Sequence, residues 1–268
     1  MTAFDDAIAV SPAGPDTFSA RTHPAFGNFV GPFGGITAAT IVHAIQADER
    51  SIGRPAALTL NFTGPLADGD YEIDVQPART NNSNQHWTIS VDQAGENRMT
   101  GTALFVRDRP SWASLEAQMP QVKGPHEYPV VSGHFPLRWI ENYEMRFVEG
   151  PFVASAEEAG PDSTTTKWFR QLPARGWDYP GLAAAADVFG PRIFQRLGPV
   201  PAGTVTLTAY FHADAQALAA QGEFLLGTVR GLQFADGLAD QHAQLWGEDG
   251  SLVATTTQLC YYKAAPQE

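Results

Sequence analysis

Cysteine occurs once in the 268 residues, at Cys260, so no internal disulfide framework exists and a reducing compartment is expected. Long apolar runs are missing too. No stretch approaches the roughly 20 residues of a membrane-spanning helix, and the N-terminus MTAFDDAIAV lacks the basic start of a secretion signal. A cytoplasmic protein without a membrane span is therefore expected. Positive charge is scarce: 17 Lys and Arg face 29 Asp and Glu, for a formal charge of −12. Such a surface repels polyphosphate, which argues against nucleic acid or an anionic membrane as the main partner. A small anionic ligand is still allowed, provided a local cluster of cations meets it. With 43% hydrophobic and 17% charged residues and no low-complexity tract, the composition is that of a globular protein large enough for one domain or two fused smaller ones.

Several chemical signatures are also absent. There is no Gly-x-Ser-x-Gly, hence no support for a nucleophile elbow, and no Gly-rich phosphate loop. GNFVGPFGG, from Gly27, has the wrong glycine spacing for a dinucleotide fingerprint. No Cys and His residues stand at metal-ligand spacing, and DGLADQH (Asp236, Asp240, His242) reads as a turn entering a strand, so neither metal nor cofactor is expected. His43 reads as a packed or surface residue of a helix, while His23, His86, His212 and His242 have no partner visible in the sequence. Arg146 and Arg170 lie in strand-like segments suited to salt bridges, and Cys260 reads as a small apolar filler.

What is present is a repeated pattern. Arg107 to Pro136 carries Pro110, Pro120, Pro125, Pro129 and Pro136 with little periodicity, and reads as a connector. It divides the chain into residues 1–107, a connector at 108–136, and residues 137–268. Each half starts with extended sequence, reaches one helix and ends in long strands. Ala38, Ile41, Val42 and Ile45 lie at helical spacing after Gly34-Gly35, and Leu182, Ala185, Ala186 and Phe189 repeat that spacing. LTLNFTGPL from Leu58 matches LTAYFHADA from Leu207 at an offset of 149 residues. NQHWTISVDQAGENRMTGTALF then matches DQHAQLWGEDGSLVATTTQLC, with Gln85-His86 laid on Gln241-His242. An internal duplication follows. One helix and several long strands, twice over, predict an α+β protein in which each antiparallel sheet wraps one helix, with sites where the copies face each other.

Function belongs where the copies differ. The alignment puts Asp187 on Ala38, Thr204 on Pro55 and Gln258 on Leu104. Asp187 interrupts LAAAADVFGP, whose helix is apolar nearly all round because Ala183 and Ala184 share its face. A carboxylate buried there is expensive without partners, which marks it as a used residue; the alternative is a solvated helix position. In SLVATTTQLCYY, alternation sets Ala254, Thr256, Gln258 and Cys260 on one face, which either carries a functional amide or meets water. Thr204 in PAGTVTLTAYFH is equally explained as a strand former, and Thr206 and Thr208 compete with it.

Taken in order, the helix start FGGITAAT, the proline-rich connector containing Ser111-Trp112, the Asp of AAAADVF, the Thr before AYFH and the Gln of LVATTTQ resemble the acyl-CoA thioesterase II family, from about Phe18 to Lys263. The resemblance implies a double hot-dog fold, two tandem antiparallel sheets each wrapping a central helix. It also implies hydrolysis of acyl-CoA by a water that Asp187, Thr204 and Gln258 hold and activate. Helix geometry adds an expectation for the oxyanion: backbone N–H groups near Gly34, Gly35 and Ile36, at the positive end of the first helix. The alternative is a protein of the same fold that holds an acyl thioester or other hydrophobic ligand without cleaving it. Hydratase chemistry would need a His near Asp187, and none lies close in sequence. The acyl chain length is left open, and further pairing into a homo-oligomer through exposed sheet edges is plausible.

Overall fold

A computed structural model describes residues 2–133 and 136–264. Residues 134, 135 and 265–268, which fall in the expected connector and C-terminal segment, lie outside the described residues. In the first half, α1 (Ala3–Ala7), β1 (Ser11–Pro12) and β2 (Thr17–Arg21) lead to the long helix α2 (Gly34–Ala47). It is followed by β3 (Arg54–Phe62), β4 (Asp70–Thr80), β5 (Asn84–Gln93) and β6 (Glu96–Val106). The second half runs β7 (Tyr143–Glu149), β8 (Thr165–Gln171), α3 (Tyr179–Ala185), α4 (Ile193–Leu197) and β9 (Ala202–Phe211). It continues with α5 (Ala215–Ala219), β10 (Leu225–Arg230), β11 (Phe234–Ala235), β12 (Leu238–Gly247) and β13 (Leu252–Tyr262).

The two expected sheets are one. All strand pairs are antiparallel, in the order β1-β2-β4-β5-β6-β3-β9-β13-β12-β10-β8-β7, with β11 alongside β12. The halves join through β3 and β9, which removes two edges that would otherwise expose unpaired backbone. Their register is self-complementary. Ala57 faces Tyr210, Thr59 faces Thr208 and Asn61 faces Thr206, so a pseudo-twofold axis passes at Thr59 and Thr208, whose hydroxyls lie 3.1 Å apart across the 149-residue offset. Both copies also carry a bulge at the same place: pairing skips Ala56 in β3 and Val205 in β9. A shared irregularity of this kind supports duplication more strongly than the short sequence matches do.

Register also corrects the alignment. Leu58 pairs with Ala103, and its counterpart Leu207 pairs with Gln258, so Gln258 corresponds to Ala103 and not to Leu104. Ala103 faces Trp87 on β5, whereas Gln258 faces Gln241 on β12, so Gln241 corresponds to Trp87 and not to Gln85. The matching Gln-His pairs are therefore coincidental.

The core lies between the sheet and the helices. Alternation sends Trp87, Ile89 and Val91 of β5 and Leu207, Ala209 and Phe211 of β9 inward. Ile41, Val42 and Ile45 of α2 are fully buried against this face, each contributing about 1.5–3 kcal/mol. α2 runs for 14 residues, but α3 stops after 7, short of the expected Phe189. Asp178 caps its start by accepting from the Gly181 N–H at 2.7 Å. At its end the bonds tighten, with Asp187 N–H donating to Ala184 at 3.2 Å and Val188 N–H to Ala185 at 3.3 Å. Pro191 lacks the N–H that would bond residue 187, so the helix cannot resume until α4.

Candidate active site

Asp187 lies in this tightened turn, two residues past α3, instead of within the helix. Its backbone is placed by the two short-range bonds above, and its side chain reaches the N-terminus of α2. There the Gly35 backbone N–H faces the carboxylate and favours its charged form. The Gly34-Gly35 pair is needed for this approach. A Cβ at Gly34 would stand 2.8 Å from Asp187 Oδ2, and one at Gly35 would stand 2.5 Å from the Ala184 carbonyl oxygen and the Phe33 ring. Phe33, the residue before α2, stacks on Trp139 at 4.3 Å, which anchors the helix start against the second half.

Asp187 keeps partial exposure while its surroundings are largely apolar. Loss of hydration pushes its pKa from 3.8 up to about 7, against the opposing pull of bonds from Gln258 and Gly35. A carboxylate so placed is a base near neutral pH that water can still reach.

A chain of amides runs behind it. Gln258 Nε2 donates to Asp187 Oδ1 at 2.7 Å and lies 3.4 Å from the Ala186 carbonyl. Gln258 Oε1 accepts from Gln241 Nε2 at 2.9 Å, and Gln241 Oε1 accepts from the Arg192 backbone N–H at 3.0 Å. Both glutamines are buried, at 2% and 3% exposure, so Gln258 does not face water. The turn that carries Asp187 is held by two buried basic side chains. Lys167 Nζ donates to the Val188 carbonyl at 2.9 Å, and Arg192 Nε and Nη2 donate to the Gly190 carbonyl at 3.0 and 2.8 Å. Burial drives the Lys167 pKa well down and that of Arg192 to about 10.

The expected residues are thus gathered unequally. Asp187, Gln258, Gly34 and Gly35 meet. Ile36 does not join them, because its N–H is spent on the Phe33 carbonyl at 3.1 Å. Thr204 does not reach Asp187; its hydroxyl lies 3.8 Å from Cys260 Sγ. Even so, the threonines are distinguishable. The bulge at Val205 reverses the alternation of β9, so Thr204 pairs with Cys260 on the face that carries Gln258, whereas Thr206 pairs with Leu259 and Thr208 lies against Thr59. Cys260 is buried and its thiol is pushed up to about 12 by burial, in keeping with an inert filler.

Gln241 was missed, although its signal was present: it alternates with Ala239, Ala243 and Leu245 on a strand face that is otherwise apolar. Lys167 and Arg192 gave no comparable sign. Elsewhere, Glu144 pairs with Arg146 at 2.6 Å and Arg170 at 2.7 Å, the structural role expected of both arginines. His242 lies 3.3 Å from Asp240 within β12, past the turn at Asp236. Among the described residues no group of three or more His, Cys, Asp or Glu could hold a metal, and no helix is long and apolar enough to cross a membrane.

An antiparallel sheet lying against a long central helix, with a carboxylate at that helix's N-terminus, places the protein in the hot-dog class. A structure from Alicyclobacillus acidocaldarius, of a conserved protein of unknown function with that fold, is 43% identical over 99% of this chain and 100% of the other, with a TM-score of 0.93. The model of the acyl-CoA thioesterase N-terminal domain matches residues 22–106, and that of the C-terminal domain matches residues 115–262. The chain belongs to the acyl-CoA thioesterase family. The fold likeness extends to a putative thioesterase II from Thermobifida fusca, 20% identical over 98% of both chains with a TM-score of 0.84. It reaches an acyl-CoA thioesterase II, TesB2, from Mycobacterium marinum, 16% identical over 98% of both with a TM-score of 0.76. No curated protein matches the sequence.

Proposed function

We propose that the protein hydrolyses acyl-CoA thioesters to the free acid and CoA, with Asp187 activating the attacking water. Residues 1–107 and 137–268 are read as two hot-dog repeats, a double hot-dog, joined by the connector 108–136. The observation that carries the reading is the placement of Asp187: a carboxylate with a pKa near 7, half-open to solvent, between the end of one central helix and the start of the other.

In this mechanism Gln258 holds Oδ1, and Oδ2, on the side of Gly34, takes the proton of a water as its oxygen attacks the thioester carbonyl. The negative charge that develops on the carbonyl oxygen meets the positive end of α2, with the Gly34 N–H as the donor, since the Gly35 N–H is turned to Asp187 and the Ile36 N–H to the Phe33 carbonyl. The tetrahedral intermediate then expels the CoA thiolate, and the proton held by Asp187 returns to the leaving sulfur. Thr204 pairs with Cys260 on the face that carries Gln258, and from there its hydroxyl orders water beside the site. No covalent serine or cysteine is needed.

The test is release of free thiol from acyl-CoAs of several chain lengths by the wild type and by Asp187→Asn. Turnover that the substitution abolishes supports the reading. Binding of acyl-CoA without turnover on any chain length would instead establish the alternative, a protein that holds the thioester intact.

A further inference from the structure

The geometry points to Gln241 as the residue that decides which end of the Gln258 amide meets Asp187, and hence as a positioning residue for the reaction. The inference rests on the reading of Asp187 as the base.

The two ends of a glutamine amide are nearly equal in shape and opposite in hydrogen bonding, so the amide alone does not select its orientation. Here both termini of the relay select it. The Arg192 backbone N–H can only donate, so Gln241 must turn Oε1 toward it. Gln241 then presents Nε2 to Gln258 Oε1, and Gln258 is left with Nε2 facing Asp187. At the far end the Ala186 carbonyl can only accept, and it also lies on the Nε2 side of Gln258. Flipping both amides would set an NH2 against the Arg192 N–H and an oxygen against the Ala186 carbonyl and the Asp187 carboxylate. The first copy has no such relay, because Trp87 and Ala103 occupy the equivalent positions.

The chemical consequence concerns the proton. An amide locked as a donor favours the ionised carboxylate, the form that works as a base. Without Gln241, Gln258 Oε1 keeps only the distant Cys260 thiol, at 4.0 Å, and only the Ala186 carbonyl, at 3.4 Å, opposes rotation of the amide to accept a hydrogen bond from protonated Asp187. The other titratable groups around Asp187 are Tyr143 on β7 and Cys260 on β13, with Lys167 and Arg192 behind the turn; removal of Gln241 changes the charge of none of them.

The test is Gln241→Met, which keeps the length and removes the relay. Three quantities are read: kcat/KM for acyl-CoA against pH, the 13C-carboxyl titration of Asp187, and Tm. The acid limb and the carboxyl midpoint should both rise by about one pH unit, so that below the midpoint kcat/KM falls roughly tenfold and recovers at high pH. Gln85→Met is the control. Gln85 is equally buried, in the first copy, where it accepts from Ile52 N–H at 3.1 Å and donates to the Arg50 carbonyl at 3.0 Å. It should lower Tm without moving the midpoint. An unmoved midpoint in folded Gln241→Met, or an equal shift in Gln85→Met, overturns the inference. Should Gln241→Met fail to fold, the wild-type Gln258 side-chain 15N amide decides: it should titrate with Asp187, and indifference to that titration overturns the inference. A wild type without thioesterase activity would defeat the proposed function, yet the carboxyl titration would still test Gln241.

Discussion

The two copies share one sheet and even a bulge, yet they fill the same positions with opposite chemistry. The first has Ala38, Pro55, Trp87 and Ala103; the second has Asp187, Thr204, Gln241 and Gln258. All four in the first copy are buried or nearly so, and they simply fill space. In the second copy the same space holds an amide relay ending on a carboxylate. A duplicated scaffold tolerates buried polar groups in one copy when each finds a partner, because a satisfied network costs little and an unsatisfied one a great deal. The apolar copy supplies the rigid half, and its contribution to the site is backbone: the two glycines at the start of α2.

The largest effect is expected from Asp187→Asn, which gives the second copy an uncharged residue at that position as in the first. kcat/KM for acyl-CoA at pH 8 should fall roughly 10²–10⁴-fold, read by thiol release. The pH dependence follows the same group. Activity should rise with pH through about 7 as Asp187 ionises. Stability should move the other way: the folded chain holds this proton up to about pH 7 and the unfolded chain releases it near 3.8, so stability declines between those values and levels off above them. Denaturant melts across that range should show the decline in the wild type and its loss in Asp187→Asn, which would then be the more stable protein at pH 8.

The converse change is Ala38→Asp. Ala38 is fully buried, and no relay stands behind it, so an acid there should cost about 3–5 kcal/mol in denaturant melts and create no second activity. Retained stability would mean that the copies are more alike than their side chains imply. Gln258→Leu, which reduces the relay to apolar filling, should lower kcat about tenfold and raise the acid limb of the pH profile. The smallest effect is reserved for the threonines. Thr204→Val should lower kcat about threefold to tenfold, while Thr206→Val and Thr208→Val should leave it unchanged, because only Thr204 shares a face with Gln258. Equal losses at all three would dissolve the distinction that the bulge makes.

Much of this was legible from residues alone. Asp187 and Gln258 announced themselves because a polar side chain in an apolar period is conspicuous, and the duplication emerged from Phe62 and Phe211 at matching places. The counterparts of Gln258 and Gln241 were misassigned by one and two positions, because loop lengths differ between copies and only strand pairing sets register. Thr204 was not separable from its neighbours because one skipped residue, Val205, reverses which face a strand presents. Ile36 was assigned to the oxyanion from helix position alone, which is blind to the Phe33 carbonyl that takes its N–H.

The amino-acid sequence by itself determined the hydrophobic periods, the glycine pair that permits close helix approach and the lone acid placed in greasy surroundings, since these are properties of neighbours along the chain. The tertiary structure alone decided that the copies share one sheet, that Asp187 leaves its helix to meet the other copy's first turn, and that two glutamines line up behind it. The shared sheet and the meeting of Asp187 with Gln258 depend on contacts between segments more than 50 residues apart, and the glutamine pair depends on the register of β12 against β13; none of these leaves a trace in local pattern.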